Sequence, residues 1–260
     1  MNELAALLRL TELELKNYVY NFLTNFGMNP IYGKSYVYSK GEIPIMLVAH
    51  MDTVFEYTAH DLYYDKEEDV IFSASGGIGG DDRCGVYAIL RILSETNFRP
   101  YILFTQGEEI GGIGATDAVT ELEKPDVKYI LEFDRAGEND CVFYGCDNKK
   151  FINYVQQFGF EEQIGSFSDI SILGPVWDIA TVNVSSGYYN EHTKNEYIVF
   201  HQLENSINKV INMIKSLQDS EYFDYQKKKY NRPFYDDYLF YEFLSKEEKK
   251  KKLRKDKNNE

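Results

Sequence analysis

Four short apolar runs, "IPIMLVA", "PYILF", "KYILEF" and "IATVNV", punctuate residues 43 to 184 and decide most of what this chain can become. Each is too brief for a helix and too uniformly apolar for a strand with one wet face, so each reads as a strand buried on both sides. The segments between them have helical spacing and length: "RCGVYAILRILSET", "ATDAVTELEK" and "NKKFINYVQQFGF". Alternation of this kind predicts an α/β domain, a mostly parallel mixed β-sheet flanked by helices on both faces. At the amino end, Leu4, Leu7, Leu8, Leu13, Leu15, Tyr18, Val19, Phe22 and Leu23 predict an amphipathic helix stopping at Gly27. "DLYYDKEEDVIFSAS" predicts a hairpin, and "FHQLENSINKVINMIKSLQDS" a closing helix.

Charge divides the chain. Residues 221–260 carry 12 Lys+Arg against 9 Asp+Glu, leaving 16 against 33 in the first 220 residues. We therefore expect a packed domain over 1–220 and a charged, Tyr-rich tail over 221–260. A body this acidic repels nucleic acid and attracts cations. No apolar stretch approaches the ~18 residues that span a bilayer, and the first residues carry Glu3, Glu12 and Glu14 rather than a basic leader. Three cysteines without a CxxC pair suit a reducing compartment, so the expectation is a cytoplasmic protein without membrane or nucleic-acid partners.

Polar residues gather where the apolar runs end. They are His50 and Asp52, Asp81 and Asp82, Glu108 and Glu109, and Asp134, with His192 in the late loop "YYNEHTKNEY". In an open α/β sheet the ligand crevice lies beyond the carboxyl ends of the strands, so these clusters can share one rim. Crowded carboxylates repel one another unless a cation sits among them. Two histidines with several acids make a donor set for Zn²⁺ and its neighbours. Periodicity does not separate Asp134 from Glu132, which share a face of their strand. "GGIGG" at residues 76 to 80 lacks the Lys-Ser/Thr pair of a phosphate-binding loop.

The motifs "AHMDTV", "GGDDRCGV" and "TQGEEIGG", followed by Asp134 and His192, resemble the superfamily of co-catalytic dinuclear zinc exopeptidases, and within it the tripeptide aminopeptidase-like branch. The resemblance covers roughly residues 40 to 220. It implies two zinc ions per chain, with Co²⁺ or Mn²⁺ as substitutes. His50 and Asp134 would bind one ion, Glu109 and His192 the other, and Asp81 would bridge both. Asp52 would orient His50, and Glu108 would be the general base. The peptide bond Asp81-Asp82 would be cis. The implied activity is aminopeptidase cleavage of short peptides. Hydrolysis of an N-acyl amino acid on the same site is the alternative, and a non-catalytic metal-binding module a further one.

Other residues stay open. Arg135 reads as a surface ion pair or as a clamp for a substrate carboxylate. Tyr188 and Tyr189 read as packing residues or as pocket lining, with Tyr189 the substrate-binding candidate. Ser168 and Asp169 in "GSFSDISIL" read as a helix cap or as a segment near the substrate pocket. Only 57 residues lie between Asp134 and His192. That leaves little room for the lid or dimerisation domain the branch usually inserts there, so a catalytic domain alone is expected and no oligomeric state follows.

Overall fold

The structure, a computed structural model, describes residues 1–217 and 220–228. Two amino-terminal helices, α1 (Asn2–Leu7) and α2 (Glu12–Asn25), replace the single helix expected. The break lies at Thr11. Its hydroxyl accepts from the Glu14 backbone N–H, and the Glu14 carboxylate accepts from the Thr11 backbone N–H. This capping box starts a new helix where hydrophobic spacing alone continues the old one.

The strands β1 (Ile31–Tyr32), β2 (Tyr36–Ser39), β3 (Ile43–His50), β4 (Leu62–Asp65) and β5 (Val70–Ser73) precede α3 (Gly80–Glu95). Then come β6 (Pro100–Thr105), α4 (Ile113–Glu121), β7 (Ile130–Arg135), β8 (Asp140–Val142), α5 (Lys149–Gln156), β9 (Glu161–Glu162) and α6 (Ile170–Trp177). The last elements are β10 (Thr181–Ser185), β11 (Tyr188–Tyr189), β12 (Tyr197–Val199) and α7 (Phe200–Lys215).

The main sheet has eight strands in the order β1-β2-β6-β3-β7-β10-β8-β9. The four apolar runs form its parallel centre, β6-β3-β7-β10. Their alternation builds a core on each face. Ile45, Leu47 and Ala49 of β3 pack with α3 and the amino-terminal helices, whereas Met46 and Val48 pack with α4 and α6. The residues are apolar on both faces because helices cover both.

A second sheet of four strands, β11-β12-β5-β4, adds to what the apolar runs predict. The β4–β5 hairpin is the one read from the sequence, and it recruits β12 from the far end of the domain. That pairing anchors the loop carrying His192.

One compact unit spans Met1–Lys227. Residues assigned to the tail take part in it: Phe223 is buried, and its backbone carbonyl accepts from the Ala180 N–H. The rest of the expected tail, from 229 onward, lies outside the described residues. No helix among the described residues is long and apolar enough to cross a membrane.

Candidate metal centre

β3 ends on His50, which is completely buried. Its Nε2 lies 3.0 Å from Asp81 Oδ1 and 3.4 Å from Asp134 Oδ1. On its other edge, Nδ1 is 3.3 Å from Asp52 Oδ1 and 3.1 Å from the Asp52 carbonyl oxygen. Asp52 therefore fixes the ring, leaving Nε2 for the cleft. The same Asp52 carboxylate accepts from the backbone N–H groups of Glu108 at 3.3 Å and Glu109 at 3.2 Å. One acid thus holds both the imidazole and the two-glutamate turn after β6, which Gly107 enters with φ 74°.

Asp81 stands at the centre. Its Oδ1 faces His50 Nε2, and its Oδ2 lies 3.1 Å from His192 Nε2. His192 Nε2 is also 3.0 Å from Glu109 Oε1. Three groups of side chains place their donor atoms close enough to hold an ion: His50, Asp81 and Asp134; Asp81, Glu109 and His192; and His50, Glu108 and Glu109. The Asp81-Asp82 peptide bond is cis. The structure thus gathers all seven residues that the sequence nominates for catalysis and metal binding.

Asp134 and Glu132, indistinguishable by periodicity, are separated here. Asp134 lines the cleft. Glu132 is fully buried beneath it and accepts from the Ser168 hydroxyl. Asp169 is buried beside the same strands, accepts from the Thr105 hydroxyl and leaves its Oδ1 without a partner among the described residues. It begins α6 without a side-chain cap bond.

A β-bulge explains how Asp134 is aimed. In the β7–β10 ladder, Val184 pairs with Phe133 and Ser185 with Arg135, so Asp134 is skipped. The Asn183 side chain replaces the missing strand partner. It accepts from the Asp134 N–H at 2.8 Å and donates to the Asp134 carbonyl at 2.9 Å. The Tyr188 hydroxyl donates to Asp134 Oδ1 at 3.3 Å. Its neighbour Tyr189 points the other way, as successive strand residues must. Tyr189 stacks on Tyr197 and donates to Gln202 Oε1, so of this pair it is Tyr188, not Tyr189, that lines the cleft, beside Tyr144.

Glu196 is the residue that motif reading missed. It is buried, and its carboxylate accepts from three backbone N–H groups: Ile78 at 3.0 Å, Gly79 at 2.7 Å and Asp81 at 3.0 Å. The glycine-rich loop does cradle an anion, and the anion is this side chain. An acid four residues after His192 is the available signal. Within α3, Gly85 lets the helix pass so close to β7 that a Cβ would lie 2.1 Å from the Phe133 carbonyl oxygen.

The electrostatics fit a cation. Burial and the charge of Asp81 push Asp134 up to about 7. Burial, with Asp134 and Asp169 adding to it, pushes Glu108 up to about 9. His192 is held up at about 9 by its contact with Asp81, against some burial. Burial opposes charge on His50, but Asp134, Asp52 and Asp81 outweigh it and hold the ring above its usual range. Without a cation, these acids keep protons that carboxylates ordinarily release.

No protein-family model matches the chain, and no curated protein matches it in sequence. Solved structures do match in fold. Aminopeptidase PepT from Bacillus cereus is 15% identical with a TM-score of 0.69, the match covering 84% of this chain and 97% of that one. A tripeptidase from Staphylococcus aureus gives 15%, 0.69, 84% and 98% in the same order. An aminopeptidase from the archaeon Desulfurococcus kamchatkensis gives 15%, 0.62, 83% and 96%. This chain has the fold of these aminopeptidases. At such identities the likeness is one of fold, and chemistry must be argued from the residues.

Proposed function

We propose that the protein is a metal-dependent exopeptidase, an aminopeptidase of short peptides, using two divalent ions with zinc as the first choice. The observation that carries the reading is Asp81, whose two carboxylate oxygens face the Nε2 atoms of His50 and His192 at 3.0 and 3.1 Å. One acid between two separate imidazole-and-acid sets is what a bridged pair of ions requires. His50 and Asp134 would hold one ion, Glu109 and His192 the other. The chemistry such ions would supply is Lewis acidity, toward a water and toward negative charge on a carbonyl oxygen.

The chain's own residues supply the rest. Glu108 stands over the cleft with Oε2 4.0 Å from His50 Nε2. There it can take a proton from the attacking water and hand it to the leaving nitrogen. Asp52 keeps the His50 tautomer and the Glu108–Glu109 turn in one register. The cleft is about 270 Å³, lined by Asp81, Glu108, Glu109, Asp134, Tyr188 and His192 among others. Its acids favour a substrate amine, and its size favours a short substrate. That the solved relatives include an aminopeptidase and a tripeptidase supports the same reading. The three cysteines are unpaired and buried, which suits the reducing compartment the sequence suggests.

The test is a panel of di- and tripeptides offered to zinc-loaded protein beside Glu108→Gln. We expect the substitution to lower kcat by ~10²- to 10⁴-fold, the usual contribution of a general base, with metal content unchanged. Full activity in Glu108→Gln, or no hydrolysis of any peptide by the zinc-loaded protein, would refute the reading.

A further inference from the structure

We propose that Arg135 is a specificity residue that binds a free carboxylate on the substrate, close to the scissile bond. The inference rests on the exopeptidase reading and narrows it to substrates ending in a carboxylate one or two residues beyond the bond cleaved.

Three observations carry it. First, Arg135 lines the cleft together with Asp81, Glu108, Glu109 and Asp134, and it is the one lysine or arginine in that lining. Second, its Nε is buried and has no hydrogen-bond partner among the described residues, although the cleft is crowded with carboxylates. Three of those acids have partners of their own: Asp81 two histidines, Glu109 His192, and Asp134 Tyr188 and Asn183. Glu108 and Glu191 line the same cleft without pairing with Arg135. A planar fork of donors whose Nε lacks an acceptor matches an incoming carboxylate. Third, the bulge at Asp134 delivers Arg135 to this place. Consecutive strand residues point to opposite faces, yet Asp134 and Arg135 both line the cleft, where the register with β10 shifts.

Distance sets the substrate class. Arg135 shares one cleft of about 270 Å³ with Asp81, Glu108, Asp134 and His192, and an extended peptide advances about 3.3–3.6 Å per residue. A carboxylate held by Arg135 therefore belongs to a residue at or next to the scissile bond. A dipeptide, a tripeptide and an N-acyl amino acid share this chemistry.

The experiment measures binding to the zinc-loaded full chain by calorimetry. The ligands are a dipeptide, its C-terminal amide and the corresponding N-acetyl amino acid; hydrolysis of each is followed separately. We expect at least one of the two carboxylate ligands to bind ~10- to 100-fold tighter than the amide, as for a site built around one charged group. Arg135→Met should bring it down to the level of the amide and leave amide binding and melting temperature unchanged, and Arg135→Lys should keep part of the preference. Whichever carboxylate ligand binds and is cleaved better identifies the source. Equal binding of acid and amide by the unaltered protein, an equal loss for all ligands in Arg135→Met, or no binding at all overturns the clamp. Hydrolysis of acids and amides alike removes the clamp and leaves the exopeptidase reading standing. Carboxylate-selective binding without hydrolysis does the reverse.

Discussion

His50 and His192 face the two oxygens of one carboxylate, yet they are held in opposite ways. His50 closes a central strand, with its side chain 1% exposed, and Asp52 fixes its second nitrogen. His192 sits on a loop at φ 61°, with its side chain 50% exposed, and Nε2 makes the only contacts described for its ring. The partners differ in the same sense. Asp134 is pinned through its backbone by Asn183 and through its carboxylate by Tyr188, whereas Glu109 is positioned by one N–H bond to Asp52. One half of the centre is built into the sheet, and the other is brought to it by a loop. On the proposed reading, an ion in the strand-end half would meet preorganised ligands, whereas an ion in the loop half would have to order some of its own.

The largest effect should come from the residue the halves share. Asp81→Ala should lose both ions and reduce hydrolysis to background. The histidines should then separate the halves. His192→Ala should keep close to one ion per chain with the fold intact. His50→Ala should lose the strand-end ion and lower the melting temperature, because it leaves buried acids around a hole. Elemental analysis with chelator titration checks all three: in the unaltered protein, one ion should leave at lower chelator concentration than the other. Release of both at one concentration would show that the halves are equivalent and the contrast in burial irrelevant.

That contrast also marks how far the amino-acid sequence is legible by itself. Asp81, Glu109 and His192 are legible chiefly through the motifs they sit in, whereas His50 and Asp134 are legible because each ends an apolar run, where a charge is conspicuous. The four central strands are legible for the same reason. Residues whose function depends on backbone geometry are not. Asn183 lies inside an apolar strand and matters only because a bulge leaves the Asp134 backbone without a ladder partner. Arg135 is an open candidate in the sequence, although alternation would turn it away from Asp134; that the two line one cleft appears only in the structure, beside the register shift. Tyr188 and Tyr189 are interchangeable in sequence, and the pleat of β11 chooses between them. The second sheet is hidden because β12 is three residues long and pairs with a hairpin more than a hundred residues earlier. The capping box at Thr11 is plain in the residues, but helical spacing on both sides conceals it.

Glu196 tests whether the halves communicate. Its carboxylate gathers the N–H groups of Ile78, Gly79 and Asp81, and it lies four residues after His192. Acting through Asp81 it would support both proposed ions, whereas acting through the loop it would support one. Glu196→Gln replaces an acceptor oxygen with a donor facing those N–H groups. We expect metal affinity to fall by ~10- to 100-fold, as for loss of a residue that orients a ligand, and to fall equally for both ions. Weakening confined to the readily released ion would assign Glu196 to the loop instead.

The smallest effect is on the metal-free chain, where both halves depend on pH in one direction. Asp134, raised to about 7, and Glu108, raised to about 9, keep protons that the unfolded chain releases near pH 4. Their folded values exceed the unfolded ones. Stability is therefore fully present below about pH 4 and is lost as pH climbs through 7 and then 9. His192, raised to about 9 from an ordinary value of 6.5, adds a loss of the same sign over the upper part of that window. Asp81 is held below the usual carboxylate range by His192 and His50 in spite of its burial, so it opposes the trend only under about pH 4. Bound zinc would offset the burial and the mutual repulsion that raise the acids. Melting curves at pH 5, 7 and 9 should then show a gain in melting temperature from zinc that grows with pH, most steeply between 5 and 7 if the strand-end half dominates. A gain that is flat up to pH 7 and rises only toward 9 would place the sensitive groups in the loop half or at Glu108, and would reverse the ranking drawn from burial.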